Sequence, residues 1–177
     1  CGKNTSVKME NNSKILVCTN PACEGKLINI IDHYAGKKGM DIKGLSKMTL
    51  EKLIDWNWIG EPSCLYDLKT FRNEWIKKPG FGPRSVDNIL HAIESSKKCD
   101  LHKFISALGI PLIGETGAKA LADKFKTWEE FIKAVENNYK FYNLPNFGIE
   151  MHNAILNFDY REAKFIAETY LKFKSND

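Results

Sequence analysis

The chain has 177 residues, of which 43% are apolar and 27% charged, and its formal net charge is +4. That composition excludes a disordered chain, and no apolar run approaches the roughly 18 residues that a membrane span needs. The length suits one ordinary domain with a small accessory one, no signal-peptide pattern opens the chain, which makes the cytoplasm the expected compartment, and the modest positive charge permits a nucleic-acid partner where the lysines cluster.

The N-terminal segment is read through its cysteines. There are five, at positions 1, 18, 23, 64 and 99, and an odd, unevenly spaced set argues against a disulfide framework. Cys18-Thr19-Asn20-Pro21-Ala22-Cys23 places two cysteines around a proline-bearing turn, which suits half of a zinc site in a reducing compartment. Cys1 lies 17 residues before Cys18, a suitable distance for the facing half. Structural zinc takes four ligands, so with Cys1, Cys18 and Cys23 in view the fourth is expected upstream of Cys1. The opening Cys1-Gly2 thus reads as a longer protein cut inside a motif. Ile15-Leu16-Val17 is the one stretch that reads as strand. Cys64 and Cys99 fall in helical-looking segments and read as packing thiols.

A phrase then recurs: apolar residue, turn residue, apolar residue, glycine, and a polar residue opening an amphipathic helix. It occurs as Ile42-Lys43-Gly44-Leu45-Ser46, Pro79-Gly80-Phe81-Gly82-Pro83, Pro111-Leu112-Ile113-Gly114-Glu115 and Pro145-Asn146-Phe147-Gly148-Ile149. Its final-glycine position, held by serine in the first copy, falls at 46, 82, 114 and 148, in steps of 36, 32 and 34 residues, a regularity that marks a repeat. Helical stripes follow each copy: Leu50, Leu53 and Ile54; Val86, Ile89, Leu90 and Ile93; Ala118, Leu121, Ala122 and Phe125; Met151, Ile155 and Phe158. Further helices are expected over Phe104 to Leu108 and Trp128 to Val135, the latter opened by the capping box Thr127-Trp128-Glu129-Glu130. The predicted fold is mainly α: a small zinc-ribbon-like module with a four-cysteine site over residues 1–29, then a four-repeat helix-hairpin-helix domain over 30–177.

The chemistry follows from that geometry. Glycine allows positive φ and close approach of another backbone. The first amides of the next helix have no intrahelical partner and carry the positive end of the helix dipole, so each hairpin is a candidate phosphate seat. Contacts of this kind position DNA without reading its sequence. The candidate DNA-binding residues are Lys43, Gly44 and Ser46; Lys78, Gly80, Gly82, Arg84 and Ser85; Gly114, Thr116 and Lys119; and Asn146 and Gly148. Lys37, Lys38 and Lys47 also lie near the first hairpin in sequence and Lys77 near the second, whereas the fourth has only His152 close by. The copies are unequal: Ser46, Leu112 and Asn146 each stand where Gly80-Phe81-Gly82 has glycine. Asparagine tolerates left-handed backbone and leucine does not, so the second hairpin is expected to bind most strongly, and Arg84 to be its leading side chain.

Several phrases resemble one family, the NAD-dependent DNA ligases. Cys-Thr-Asn-Pro-Ala-Cys at 18–23 is similar to their second zinc half-site, and Cys1-Gly2 to the end of the first. His33 through Leu45 resembles the approach to their first hairpin, and Ala107-Leu108-Gly109-Ile110 with Gly114-Glu115-Thr116 resembles their third. The resemblance implies nick sealing in duplex DNA through an enzyme-adenylate and a DNA-adenylate. It implies that NAD is bound by a nucleotidyltransferase domain bearing a Lys-x-Asp-Gly motif, which this sequence does not contain. The implied partners are duplex or nicked DNA and the adenylation and oligonucleotide-binding domains, on the same or a separate chain. Only residues 160–177 follow the fourth hairpin, too few for the BRCT domain typical of bacterial members. The many Asn, Lys and Ile residues suggest an AT-rich genome, bacterial or viral.

Two other readings use the same hairpins. One is a DNA-binding module of another repair or recombination protein, for which a cysteine knot ahead of four repeats would be unusual. The other is a helix-hairpin-helix DNA glycosylase, with Asp100, 18 residues after Gly82, as its catalytic carboxylate. Ser95-Ser96-Lys97-Lys98-Cys99 lacks the apolar approach that such a residue needs.

Overall fold

The computed structural model describes residues 5–10, 13–18 and 24–174, with side chains from residue 25 onward. Strands β1 (Thr5–Glu10) and β2 (Ser13–Cys18) form an antiparallel hairpin with Thr5 opposite Cys18 and Glu10 opposite Ser13. The second strand contains the expected Ile15–Val17. The first goes beyond the sequence reading, although Val7 and Met9 alternate with Ser6, Lys8 and Glu10, the period of a strand.

The rest is mainly helical, as the periodicity predicts. Helices α1 (Glu24–Ala35), α2 (Lys47–Asp55), α3 (Arg72–Trp75) and α4 (Pro83–Ser96) are followed by α5 (Leu101–Ala107), α6 (Glu115–Phe125), α7 (Trp128–Glu136), α8 (Ile149–Asn157) and α9 (Arg161–Thr169). The stripes face inward: Leu50, Leu53 and Ile54 of α2, Val86, Ile89 and Ile93 of α4, and Ala118, Leu121 and Ala122 of α6 are buried. The α7 cap forms by half. Thr127 accepts the Glu130 amide at 3.2 Å, while its own amide donates to the Phe125 carbonyl at 2.8 Å.

A 3-10 helix over Pro62–Phe71 lies between α2 and α3. Proline at its first position fixes φ for helix entry. Leu65 and Leu68, three residues apart, are buried while Phe71 packs against the core edge, a spacing that matches three residues per turn. Glu162 of α9 accepts the Ser63 amide at 2.8 Å, tying this segment to α9. A two-residue parallel ladder pairs β3 (Lys98–Cys99) with β4 (Lys172–Phe173) and joins the end of the described chain to the α4–α5 junction. Cys99 therefore sits on a strand rather than in a helix; it is buried, and burial pushes its thiol up to about 12. Cys64 is half-buried on the 3-10 helix.

One apolar core runs from Ile31 of α1 to Ala167 of α9. Near its centre the Tyr34 and Tyr66 hydroxyls, both on buried rings, hydrogen-bond to each other at 2.6 Å, which satisfies two polar groups that would be costly alone. Among the described residues no helix is long and apolar enough to cross a membrane.

Candidate nucleic-acid interface

Four tight turns lead into α2, α4, α6 and α8, and they share one backbone course. Gly44, Gly80, Leu112 and Asn146 have φ of +89°, +84°, +68° and +66°. Two residues later Ser46, Gly82, Gly114 and Gly148 are the extended N-caps of the four helices. In the last three turns the residue between them donates its amide back three positions: Phe81 to Lys78 at 3.1 Å, Ile113 to Ile110 at 3.0 Å and Phe147 to Leu144 at 3.1 Å. Proline at the second position (Pro79, Pro111, Pro145) and positive φ at the third are the requirements of a type II turn. The recurring Pro-x-x-Gly is thus read out as geometry. Among the described residues no such bond closes the first turn.

Leucine at 112, expected to fit poorly, adopts the left-handed conformation nonetheless. It is held by Pro111 before it, the 110–113 hydrogen bond and the burial of Ile113. Its own side chain is 63% exposed, so no burial compensates the strain.

The N-cap glycines are informative for a different reason. Gly82, Gly114 and Gly148 have φ of −151°, −93° and −97°, which any residue adopts. No protein atom lies within 4 Å of where a Cβ would stand on any of them. Neither conformation nor packing within the chain requires glycine there, and the open space beside each glycine admits close approach by another molecule. Gly44 differs: a Cβ would meet Ile89 of α4 at 2.9 Å, so this glycine seats the first turn on the second unit.

The amides at these helix starts are only partly occupied. Ser46 accepts the Thr49 amide at 3.2 Å, which covers one of them at the first turn. At the second, the Ser85 hydroxyl accepts the Gly82 amide at 3.1 Å and donates to the Gly82 carbonyl, which steadies the turn. No side chain caps α6 or α8. Against that, α6 and α8 carry Glu115 and Glu150 in their first turns, whereas α2 and α4 carry no acid there. Carboxylates at a helix start compete with an incoming phosphate for the same partial charge.

The basic residues are distributed differently from their order in the chain. Arg84 and Ser85 are exposed beside the second turn. Lys78 is half-buried, with its ammonium 4.9 Å from the Trp56 ring centre and 5.7 Å from that of Trp58. Lys43 pairs with Asp41 at 3.2 Å. Gly114, Thr116 and Lys119 are exposed on the third turn and α6, and Asn146 and Gly148 on the fourth. His152 serves the fold there: its Nδ1 accepts the Phe141 amide at 3.2 Å. Lys37 and Lys38, near the first turn in sequence, line a cleft with Lys103 of α5 and with Glu115 and Lys119 of α6. Sequence reasoning missed Lys52. Its ammonium lies 5.3 Å from the Phe81 ring centre and 3.9 Å from where a Gly80 Cβ would stand, though in sequence it is merely a polar position of α2.

Cys1 and Cys23 lie outside the described residues, and of Cys18 only the backbone at the end of β2 is described. Among the described residues no group of three or more His, Cys, Asp or Glu is arranged to hold a metal.

Residues 103–164, which carry the third and fourth turns, match the family model described as the helix-hairpin-helix motif. The chain is 36% identical over 125 residues to a DNA ligase of Lachnoclostridium phytofermentans, covering 71% of this chain and 19% of that protein. It is 34% identical over 154 residues to a DNA ligase of Prochlorococcus marinus, covering 86% and 22%. To a DNA ligase of Natranaerobius thermophilus it is 34% identical over 155 residues, covering 87% and 23%. The chain spans about a fifth of the length of these relatives. The resemblance to DNA ligases read from the sequence therefore extends over most of the chain.

Proposed function

We propose that this chain, similar over most of its length to a segment of DNA ligases, is the DNA-gripping part of an NAD-dependent DNA ligase. It holds nicked duplex DNA through phosphates, without regard to base sequence, while a separate domain binds NAD and carries the adenylated lysine. The four turns are read as four helix-hairpin-helix units. The observation that carries the proposal is the set of bare N-cap glycines at 82, 114 and 148, each preceding a helix start that presents free amides. Arg84, Lys52 and Lys119 supply side-chain charge beside the second and third turns. A repair module of another kind would share the motif but would not account for 34% identity to DNA ligases across the first, second, third and fourth turns together.

The β1–β2 hairpin supports the zinc part of the reading. Because Thr5 stands opposite Cys18, Cys1 and Cys23 fall four and five residues from the same end of one ladder. One further ligand beside Cys1, Cys18 and Cys23 would complete the tetrahedral set of a structural zinc. Zinc would be structural, ordering a segment too short to build an apolar core.

Titration of a fluorescent nicked duplex with the chain tests the proposal. Saturable binding that is equal across unrelated sequences and weakens as salt rises is expected; no binding at low salt overturns it.

A further inference from the structure

The cleft lined by Lys37, Lys38, Lys103 and Lys119 is not explained by the turns alone. It has a volume of about 190 Å³, with Gly39, His102, Ser106 and Glu115 completing its walls. Four lysines face one carboxylate, and none of the four has an ion-pair partner among the described residues. Like charges gathered at one concavity repel one another, and an anion between them relieves that repulsion.

The cleft is also built rigidly. Ser106, one of the buried polar residues of the core, donates its hydroxyl hydrogen to the Lys38 carbonyl at 2.6 Å, across 68 positions of sequence. The Met40 amide donates to the Tyr34 carbonyl at 2.7 Å, and the Asp41 amide to Gly36 at 2.9 Å. Buried Gly39 leaves no room for a Cβ against the Tyr34 carbonyl. The turn bearing Lys37 and Lys38 is thereby clamped onto α5, with both lysines exposed. A seat fixed in advance loses less conformational freedom when a ligand arrives.

Its position indicates the ligand. The N-terminal part of α6 contributes Glu115 and Lys119 to this cleft, and the helix begins at the bare Gly114. Lys103 further lines a wider cleft of about 540 Å³ with Lys43 of the first turn, Lys98 and Lys174. We propose that the smaller cleft seats a phosphodiester of the same DNA strand whose neighbouring phosphate lies on the third turn. It is a side-chain site adjoining a main-chain site, and it links the third turn to the first. This rests on the duplex-binding reading above.

The test compares nicked-duplex affinity against salt for the whole chain and two triple variants. One is Lys37→Gln/Lys38→Gln/Lys103→Gln. The other is Lys124→Gln/Lys126→Gln/Lys133→Gln, which removes equal charge from the far end of α6 and from α7. The cleft variant is expected to bind about tenfold more weakly and to lose about one unit of the slope of log affinity against log salt, with the control close to the parent chain. Equal losses in both variants, or a parental slope in the cleft variant, would overturn the inference while leaving duplex binding intact. Failure of the parent chain to bind would remove the reading on which it rests. A poly-glutamate peptide that binds the parent and not the cleft variant, with DNA binding unchanged, would assign the cleft to an acidic protein and overturn it as well.

Discussion

The ammonium of Lys52 lies 5.3 Å from the centre of the Phe81 ring, which carries it from α2 to the tip of the second turn. A cation over an aromatic face is attracted to it and restrained in direction. Lys52 thus joins the start of α4 and exposed Arg84 on one small surface. Lys52→Gln is expected to weaken nicked-duplex binding by about three- to tenfold, in line with one lost phosphate contact, with unchanged helical circular dichroism. Fluorescence anisotropy at fixed salt measures it.

Gly80 and Gly82 are two residues apart but differ in what valine would do to the fold. Gly80 has φ of +84°, where a β-branched side chain is strained. Gly82 is extended with open space around its Cβ position. Gly80→Val is expected to destabilise the chain by about 2 kcal/mol, and Gly82→Val by well under about 0.5 kcal/mol. Urea denaturation of the two variants side by side gives both values.

Leu112 combines a left-handed backbone at φ +68° with an exposed side chain. Asparagine adopts that backbone readily, and little apolar burial is lost on removing the leucine. Leu112→Asn is expected to raise stability by about 0.5–1 kcal/mol, read as a higher urea midpoint at unchanged slope.

How far the sequence reveals these features depends on their range. Pro79-Gly80-Phe81-Gly82 and its relatives are local instructions, because proline, a positive-φ residue and an i-to-i+3 bond define the turn within four residues. The stripes of α2, α4 and α6 are local in the same way. Lys37 and Lys38 group with the first turn by proximity in sequence, yet the Ser106–Lys38 hydrogen bond spans 68 positions and carries them to α5. No periodicity encodes that. Lys52 is hidden for the same reason, since its partner Phe81 lies on another unit. The 3-10 helix over Pro62–Phe71 escapes a sequence reading because the spacing of Leu65, Leu68 and Phe71 also fits one face of an α-helix.

Buried acids of the core set an alkaline limit. Burial pushes the Cys99 thiol from about 9 up to about 12, and the Tyr66 phenol from about 10 to about 12. It raises Tyr34 as well. In the unfolded chain these groups release protons near their ordinary values, whereas the folded chain retains them to about 12. The unfolded state then binds fewer protons, so stability is complete below about pH 9 and falls as pH rises toward about 12. Cys99→Ala is expected to flatten that fall, measured by urea denaturation between about pH 9 and 11; an unchanged slope would show that Cys99 takes no part.

The DNA grip is tested most directly by the salt dependence of nicked-duplex affinity for the parent chain and for Gly82→Val/Gly114→Val/Gly148→Val. All three glycines are extended, with no protein atom within 4 Å of the Cβ position, so the variant should fold as the parent does. Phosphates seated on these turns predict a large loss of affinity and a slope shallower by about two to three units, since each phosphate contact contributes about −0.9. A folded variant that keeps the parent's affinity and slope would contradict the assignment of these turns as the DNA grip.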